Sequence, residues 1–89
     1  MDERRASMTR AYVLIESAVG KAKGVADGVL KLQLTDSRVV SVDAVTGPFD
    51  VIALLESDDL DKVGRAITDG IQQVEGVQRT TTCLVVQLG

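Results

Sequence analysis

The sequence lacks histidine and tryptophan altogether, and its aromatic residues are limited to Tyr12 and Phe49. Histidine is the usual general base and metal ligand near neutral pH, so its absence removes the most common catalytic and metal-binding chemistries. RNA-recognition domains stack bases on aromatic side chains of their central strands. This composition does not provide such a stacking surface.

The single cysteine, Cys83, excludes both an intrachain disulfide and a Cys-x-x-Cys metal-binding loop. It lies in an apolar run, residues 83–86, and no histidine is present to activate it as a nucleophile. We therefore expect Cys83 to be a buried, reduced thiol. No metal site and no cofactor are predicted.

Long apolar runs are also missing. No segment approaches the roughly 20 apolar residues of a membrane-spanning helix, and the charged first residues do not resemble a signal peptide. These features predict a cytoplasmic protein that does not insert into membranes. The ten Lys and Arg residues are scattered, and the net charge is −3. Because nucleic-acid affinity depends on clustered basic residues, direct binding of DNA or RNA is not expected.

A chain of 89 residues has the length of one domain. Residues 1–9 are polar and are predicted to form a tail, which leaves a single domain over residues 10–89. Residues 10–17 alternate as in a strand, with apolar side chains on both faces. Residues 20–32 carry apolar side chains at helical spacing, although internal glycines make this helix depend on packing.

Residues 39–56 have the pattern of a β-hairpin, in which Thr46, Gly47 and Pro48 separate two apolar runs. Pro48 has no N–H to donate to a strand ladder, so it belongs in the turn. Asp50 is unusual, because it is a carboxylate at the start of an otherwise apolar strand. Two interpretations are open: it caps nearby backbone N–H groups, or it forms part of a ligand site.

A second helix follows the hairpin, with N-cap candidates at Ser57, Asp58 and Asp59. Its predicted apolar stripe consists of Leu60, Val63, Gly64, Ile67, Ile71 and Val74. Gly76 is expected to end the helix in the left-handed conformation. The last strand is predicted over residues 80–88, again apolar on both faces.

The predicted order is strand, helix, strand, strand, helix, strand, which is the plan of ferredoxin-like βαββαβ domains in the α+β class. Right-handed crossovers place both helices on one face of a four-stranded antiparallel sheet. The other face has no cover within the chain, although three strands carry apolar residues there. Because monomers rarely expose such a patch, we expect this face to pack against a second copy.

Three stretches carry a family resemblance: VVSVDAVTGPFDVIALLE at residues 39–56, DDLDKVGRAI at 58–67 and RTTTCLVV at 79–86. Together they resemble the effector-binding (RAM) domain of the Lrp/AsnC transcription regulators, over nearly the whole chain. Regulators of this family carry an N-terminal helix-turn-helix domain, whereas only about ten residues precede the first strand here. The resemblance therefore implies a stand-alone effector domain without its own DNA-binding domain.

The resemblance also implies an oligomeric habit and a ligand. Domains of this family pair through their sheets into a dimeric α/β barrel, dimers associate into rings, and amino-acid effectors bind between dimers beside the hairpin turn. The implied ligand-binding residues are Gly47, Phe49 and Asp50 in the turn, with Thr80 and Thr82 on the last strand. Asp50 is suited to an ammonium group, and the Gly47 backbone and the threonines to a carboxylate. A full-length regulator of the family is an implied partner.

Two other functions compete with a regulatory binding module. The first is a structural oligomer that binds no ligand. The second is an enzyme of the dimeric α/β-barrel type, but such sites usually depend on His, Trp, Asn or Tyr, and this chain has no His, Trp or Asn. We therefore predict a non-catalytic, oligomeric module that binds an amino acid, with the structural oligomer as the main alternative.

Overall fold

A computed structural model describes residues 8–88 and contains the predicted βαββαβ order. The strands are β1 (Thr9–Ser17), β2 (Ser37–Ala44), β3 (Val51–Ser57) and β4 (Val77–Leu84). The helices are α1 (Ala22–Leu30) and α2 (Leu60–Arg65), and α2 continues into a π turn (Ala66–Gly70) and a 3₁₀ turn (Ile71–Gln73). Most of the predicted tail, residues 1–7, lies outside the described residues.

The four strands form one antiparallel sheet in the order β2-β3-β1-β4. β1 lies inside the sheet, so that Ile15 pairs with Val51 of β3 on one side and with Thr80 of β4 on the other. The sheet is not closed, because β2 and β4 are both edges. The ferredoxin-like arrangement with two helices on one face is therefore confirmed.

Alternate residues of β1 and β3 form the floor of the core under the helices. Strand side chains point to the two faces in turn, so one set of alternating positions meets both helices. This core consists of Ala11, Val13, Ile15, Val25, Val29, Val51, Ala53, Leu55, Val63, Ala66, Ile67 and Ile71. The chain therefore buries one face of the sheet by itself.

The second helix begins as predicted but is less regular than its stripe indicated. Asp59 is the N-cap, and its side chain accepts a hydrogen bond from the Lys62 N–H at 2.9 Å. Gly76 has φ 96°, which confirms the left-handed turn after the helix. Leu60, however, is 56% exposed, because it is the first helical residue after the chain leaves β3. Gly64 is also exposed, so both predictions of burial were wrong.

The last strand begins three residues earlier and ends four residues earlier than predicted. Its partner determines this: Leu84 pairs with Ala11 near the start of β1, and beyond it one backbone bond joins Val85 N–H to the Arg10 carbonyl at 2.9 Å. The face of β4 away from the helices carries Arg79, Thr81 and Cys83, so the prediction of an apolar strand on both faces was wrong.

Cys83 is exposed, in contrast to its predicted burial. Cys83 lies on the edge strand β4, opposite Tyr12 of β1, and both residues are on the face that the helices do not cover. An edge position opposite the helices receives no shielding within one chain.

Among the described residues, no helix has the length and apolar character to span a membrane.

Truncation of a leucine side chain is expected to lower the free energy of unfolding more where the side chain is more deeply buried. Leu55 is fully buried between the sheet and the helices. Leu55→Ala should lower the free energy of unfolding by about 2–5 kcal/mol, because it removes buried methyl groups and leaves a cavity. Leu60→Ala is the matched control and should change it by about 0.5 kcal/mol or less. Urea unfolding of both variants at one protomer concentration measures the difference, and equal losses would contradict the assigned core.

Candidate functional site

The β2–β3 turn is held by its own backbone and by the end of β1. The Val45 N–H donates to the Asp50 carbonyl at 2.9 Å, and the Asp50 N–H donates to the Ile15 carbonyl at 2.9 Å. Gly47 has φ 135°, a conformation that side-chain-bearing residues rarely adopt, and its position is exposed. The turn is therefore a fixed loop that presents backbone at the edge of the molecule.

Asp50 performs the capping role that the first interpretation gave it. Its Oδ2 accepts a hydrogen bond from the Ser17 N–H at 2.8 Å, which joins the hairpin to the end of β1. The side chain is half-buried, as is that of Phe49 beside it. This contact fixes the direction of the carboxylate. Its role as a ligand-binding group stays a prediction.

The two threonines lie at the same end of the sheet but on a different strand from the turn. Thr80 lies opposite Ile15 of β1, which in turn lies opposite Val51 of β3, so the three residues form one row across the sheet. Thr80 is therefore two strand spacings, roughly 10 Å, from Val51. Its Oγ1 accepts a hydrogen bond from Gln72 Nε2 at 3.0 Å. Thr82 is exposed and lies two residue rows farther from the turn, opposite Val13. One chain therefore brings Gly47, Phe49 and Asp50 together and leaves the threonines apart from them.

The sheet face opposite the helices is apolar at its centre. We call this the open face; its central side chains are Tyr12, Leu14, Ile52 and Leu54 from β1 and β3. Tyr12 is 44% exposed, and Leu14 and Ile52 are half-buried. No helix covers these residues, so their burial depends on their neighbours within the sheet.

Glu56 is an acidic residue that the sequence interpretation missed. It is buried on the open face between Arg10 of β1 and Arg38 of β2. Arg38 Nη2 donates to Oε1 at 3.0 Å, while Arg10 Nε lies 3.5 Å from Oε2 without forming a hydrogen bond. The signal that was available is a glutamate at the end of the apolar run 51–55. The two cations neutralise this carboxylate at one end of the open face.

Metal-binding chemistry finds no support in the part of the chain that the structure describes. No group of three or more His, Cys, Asp or Glu side chains is arranged there to hold an ion. The chemistry available at the turn is hydrogen bonding and charge pairing, from the Asp50 carboxylate and exposed backbone groups. This suits reversible binding of a small polar molecule.

Comparison with protein families gives one match, to the Lrp/AsnC ligand binding domain, over residues 10–88. No curated protein matches the chain. A solved structure from Thermus thermophilus is 31% identical, with a TM-score of 0.78, and the alignment covers 91% of this chain and 96% of that one. Two further solved structures share the fold at lower identity.

The first of these is the Escherichia coli protein AsnC, which is 15% identical with a TM-score of 0.79 and coverage of 94% of this chain and 54% of that one. The second is a transcriptional regulator from Neisseria meningitidis, solved as a complex with L-methionine. It is 21% identical with a TM-score of 0.74, and the match covers 89% of this chain and 50% of that one.

The capping contact of Asp50 is expected to contribute to stability. Asp50→Ala should lower the free energy of unfolding by about 1.5–3 kcal/mol, because it removes a charge-assisted hydrogen bond to the Ser17 N–H. Asp50→Asn retains an acceptor oxygen and should cost less. Asp43→Ala, at an exposed position of β2, serves as the matched control. If Asp43→Ala and Asp50→Ala lower the thermal stability equally, the Asp50 carboxylate does not hold the hairpin.

Proposed function

Since the chain belongs to the Lrp/AsnC ligand binding domain family, we propose that it is an oligomeric regulatory module that binds a free amino acid and catalyses no reaction. The family match over residues 10–88 carries this proposal. The absence of histidine, tryptophan and asparagine from the sequence agrees with binding rather than catalysis. A full-length regulator of the same family is the partner that this role implies.

A dimer through the open face is the first part of the proposal. The central side chains of that face are apolar, and the helices already occupy the opposite face. The segment after β4 has further exposed apolar side chains, those of Val85, Val86 and Leu88. Burial of apolar surface contributes about 25 cal/mol per Å², which favours pairing of two such faces into an α/β barrel. Rings of dimers are the expected higher assembly.

The ligand site is the second part. Under this proposal the amino acid binds beside the hairpin turn at a junction between dimers, with its ammonium group on Asp50 and its side chain against Phe49. The backbone of Gly47 and the hydroxyls of Thr80 and Thr82 receive the carboxylate. The roughly 10 Å between the turn and Thr80 within one chain is consistent with a site that several subunits complete.

The dimer is tested by a charge placed in the open face. Leu14→Arg should weaken self-association by about thirtyfold or more, because loss of a central interface contact typically costs about 2 kcal/mol or more. Val19→Arg, at a fully exposed position after β1, should leave it unchanged. Light scattering at micromolar concentration measures the masses. A monodisperse monomer for the unsubstituted chain would sink this part of the proposal.

The ligand site is tested by thermal shift with each of the twenty amino acids, beginning with L-methionine. At about 100 times the dissociation constant, roughly 2.7 kcal/mol of stabilisation is expected. Asp50→Asn should weaken binding about ten- to a hundredfold, because a charge-assisted contact contributes about 1.5–3 kcal/mol. Asp43→Asn is the control. An intact oligomer that no amino acid stabilises would instead support the structural role.

A further inference from the structure

A groove lies at the end of the β2–β3 hairpin away from the turn. Its volume is about 410 Å³, and the segment that leads into β2 and the α2 helix with its π turn form its walls. The polar side chains that line it include those of Gln33, Thr35, Asp36, Lys62, Arg65 and Asp69. Small-molecule sites commonly have volumes of about 300–1,000 Å³. The groove is therefore large enough for a ligand of amino-acid size.

The walls of the groove are held in place by close packing. A Cβ atom added to Gly70 would lie 2.8 Å from Leu34 Cδ2, so this leucine rests directly on the helix backbone. The hydroxyl groups of Ser37 and Ser57 are hydrogen-bonded to each other, which fixes the start of β2 against the end of β3. The groove is thus formed before any ligand arrives.

The π turn supplies a second, independent observation. π turns are rare, interrupt the regular α-helix by one wider turn and are found frequently at functional sites. Here the π turn spans Ala66–Gly70, and both Ala66 and Asp69 line the groove. The irregularity of the second helix therefore coincides with the groove wall.

The charges of the groove include both signs. Lys62 Nζ donates to Asp58 Oδ2 at 3.2 Å, and this hydrogen bond, together with the nearby acidic charges, raises the pKa of Lys62. Within residues 8–88, no ion pair involves Arg65, Asp36 or Asp69. Among the described groove residues, the guanidinium of Arg65 and the carboxylates of Asp36 and Asp69 are therefore available to a ligand.

We propose that this groove binds a free amino acid with a hydrogen-bonding side chain. The planar guanidinium of Arg65 receives the α-carboxylate, for which its fork of donors is suited. Asp36 and Asp69 receive the α-ammonium group, and Gln33 and Thr35 bind the polar side chain. The site is separate from the hairpin turn by the length of β2, roughly 25 Å. It does not depend on the function proposed for the turn.

The test is an NMR titration of the ¹⁵N-labelled full chain with L-glutamine, L-serine and L-leucine, in which changes of the amide chemical shifts report binding. L-Glutamine should produce saturable shifts in residues 33–37 and 62–69. L-Leucine should bind about tenfold more weakly, because its side chain forms no hydrogen bonds. Arg65→Gln should weaken L-glutamine binding about tenfold or more, since it removes the charge-assisted contact with the carboxylate. Arg79→Gln, on β4, is the matched control.

The outcomes separate the two sites. Shifts confined to residues 47–50, lost in Asp50→Asn and unchanged in Arg65→Gln, would overturn the groove site and leave the turn proposal standing. Groove shifts that persist in Arg65→Gln, or equal binding of L-leucine and L-glutamine, would overturn the assigned ligand chemistry. The absence of shifts with all three probes would overturn the groove site outright. A dispersed spectrum of each variant establishes that it is folded.

Discussion

The antiparallel pairing of β1 with both β3 and β4 is the constraint on which the other features depend. β1 is apolar from Ala11 to Ile15, and a strand sends successive side chains to opposite faces of its sheet. Such a strand requires cover on both faces. The two helices cover one face through Val13 and Ile15, and neither helix covers Tyr12 and Leu14 on the other. The proposed dimer would supply this cover from a second copy of the chain.

The same pairing decides where ligand chemistry is available. The helices and sheet fill the interior with aliphatic side chains, so polar groups that can meet a ligand lie at the two ends of the β2–β3 hairpin. At one end, Asp50 and exposed backbone form the turn. At the other, Lys62, Arg65 and Asp69 follow one another at helical spacing along one side of α2 and its π turn. In the function proposed for the turn, neighbouring subunits complete the ligand site, whereas the groove is formed within one chain.

Element order, the position of the hairpin turn and the alternation of apolar residues along β1 were predictable, because they follow from local periodicity and turn chemistry. The sequence indicated burial of Cys83 because its neighbours are apolar, but burial depends on which strand becomes an edge, and that is a property of the whole sheet. The π turn at Ala66–Gly70 was not predicted, because the apolar residues of the second helix follow regular helical spacing in the sequence. Leu34 packs directly on Gly70, and local periodicity does not indicate a contact between segments so far apart in sequence.

The two interpretations of Asp50 are compatible in physical terms. An ionised carboxylate has two oxygens and about four lone-pair positions, and the Ser17 N–H occupies one position on Oδ2. A second donor can therefore approach without breaking the cap. The cap itself orients the group, which lowers the entropic cost of a further contact. In Asp50→Asn the amide oxygen can still accept from Ser17 while the negative charge is lost. The hairpin then keeps its anchor, and only the attraction for an ammonium group is removed, which makes this substitution the one that separates the two roles.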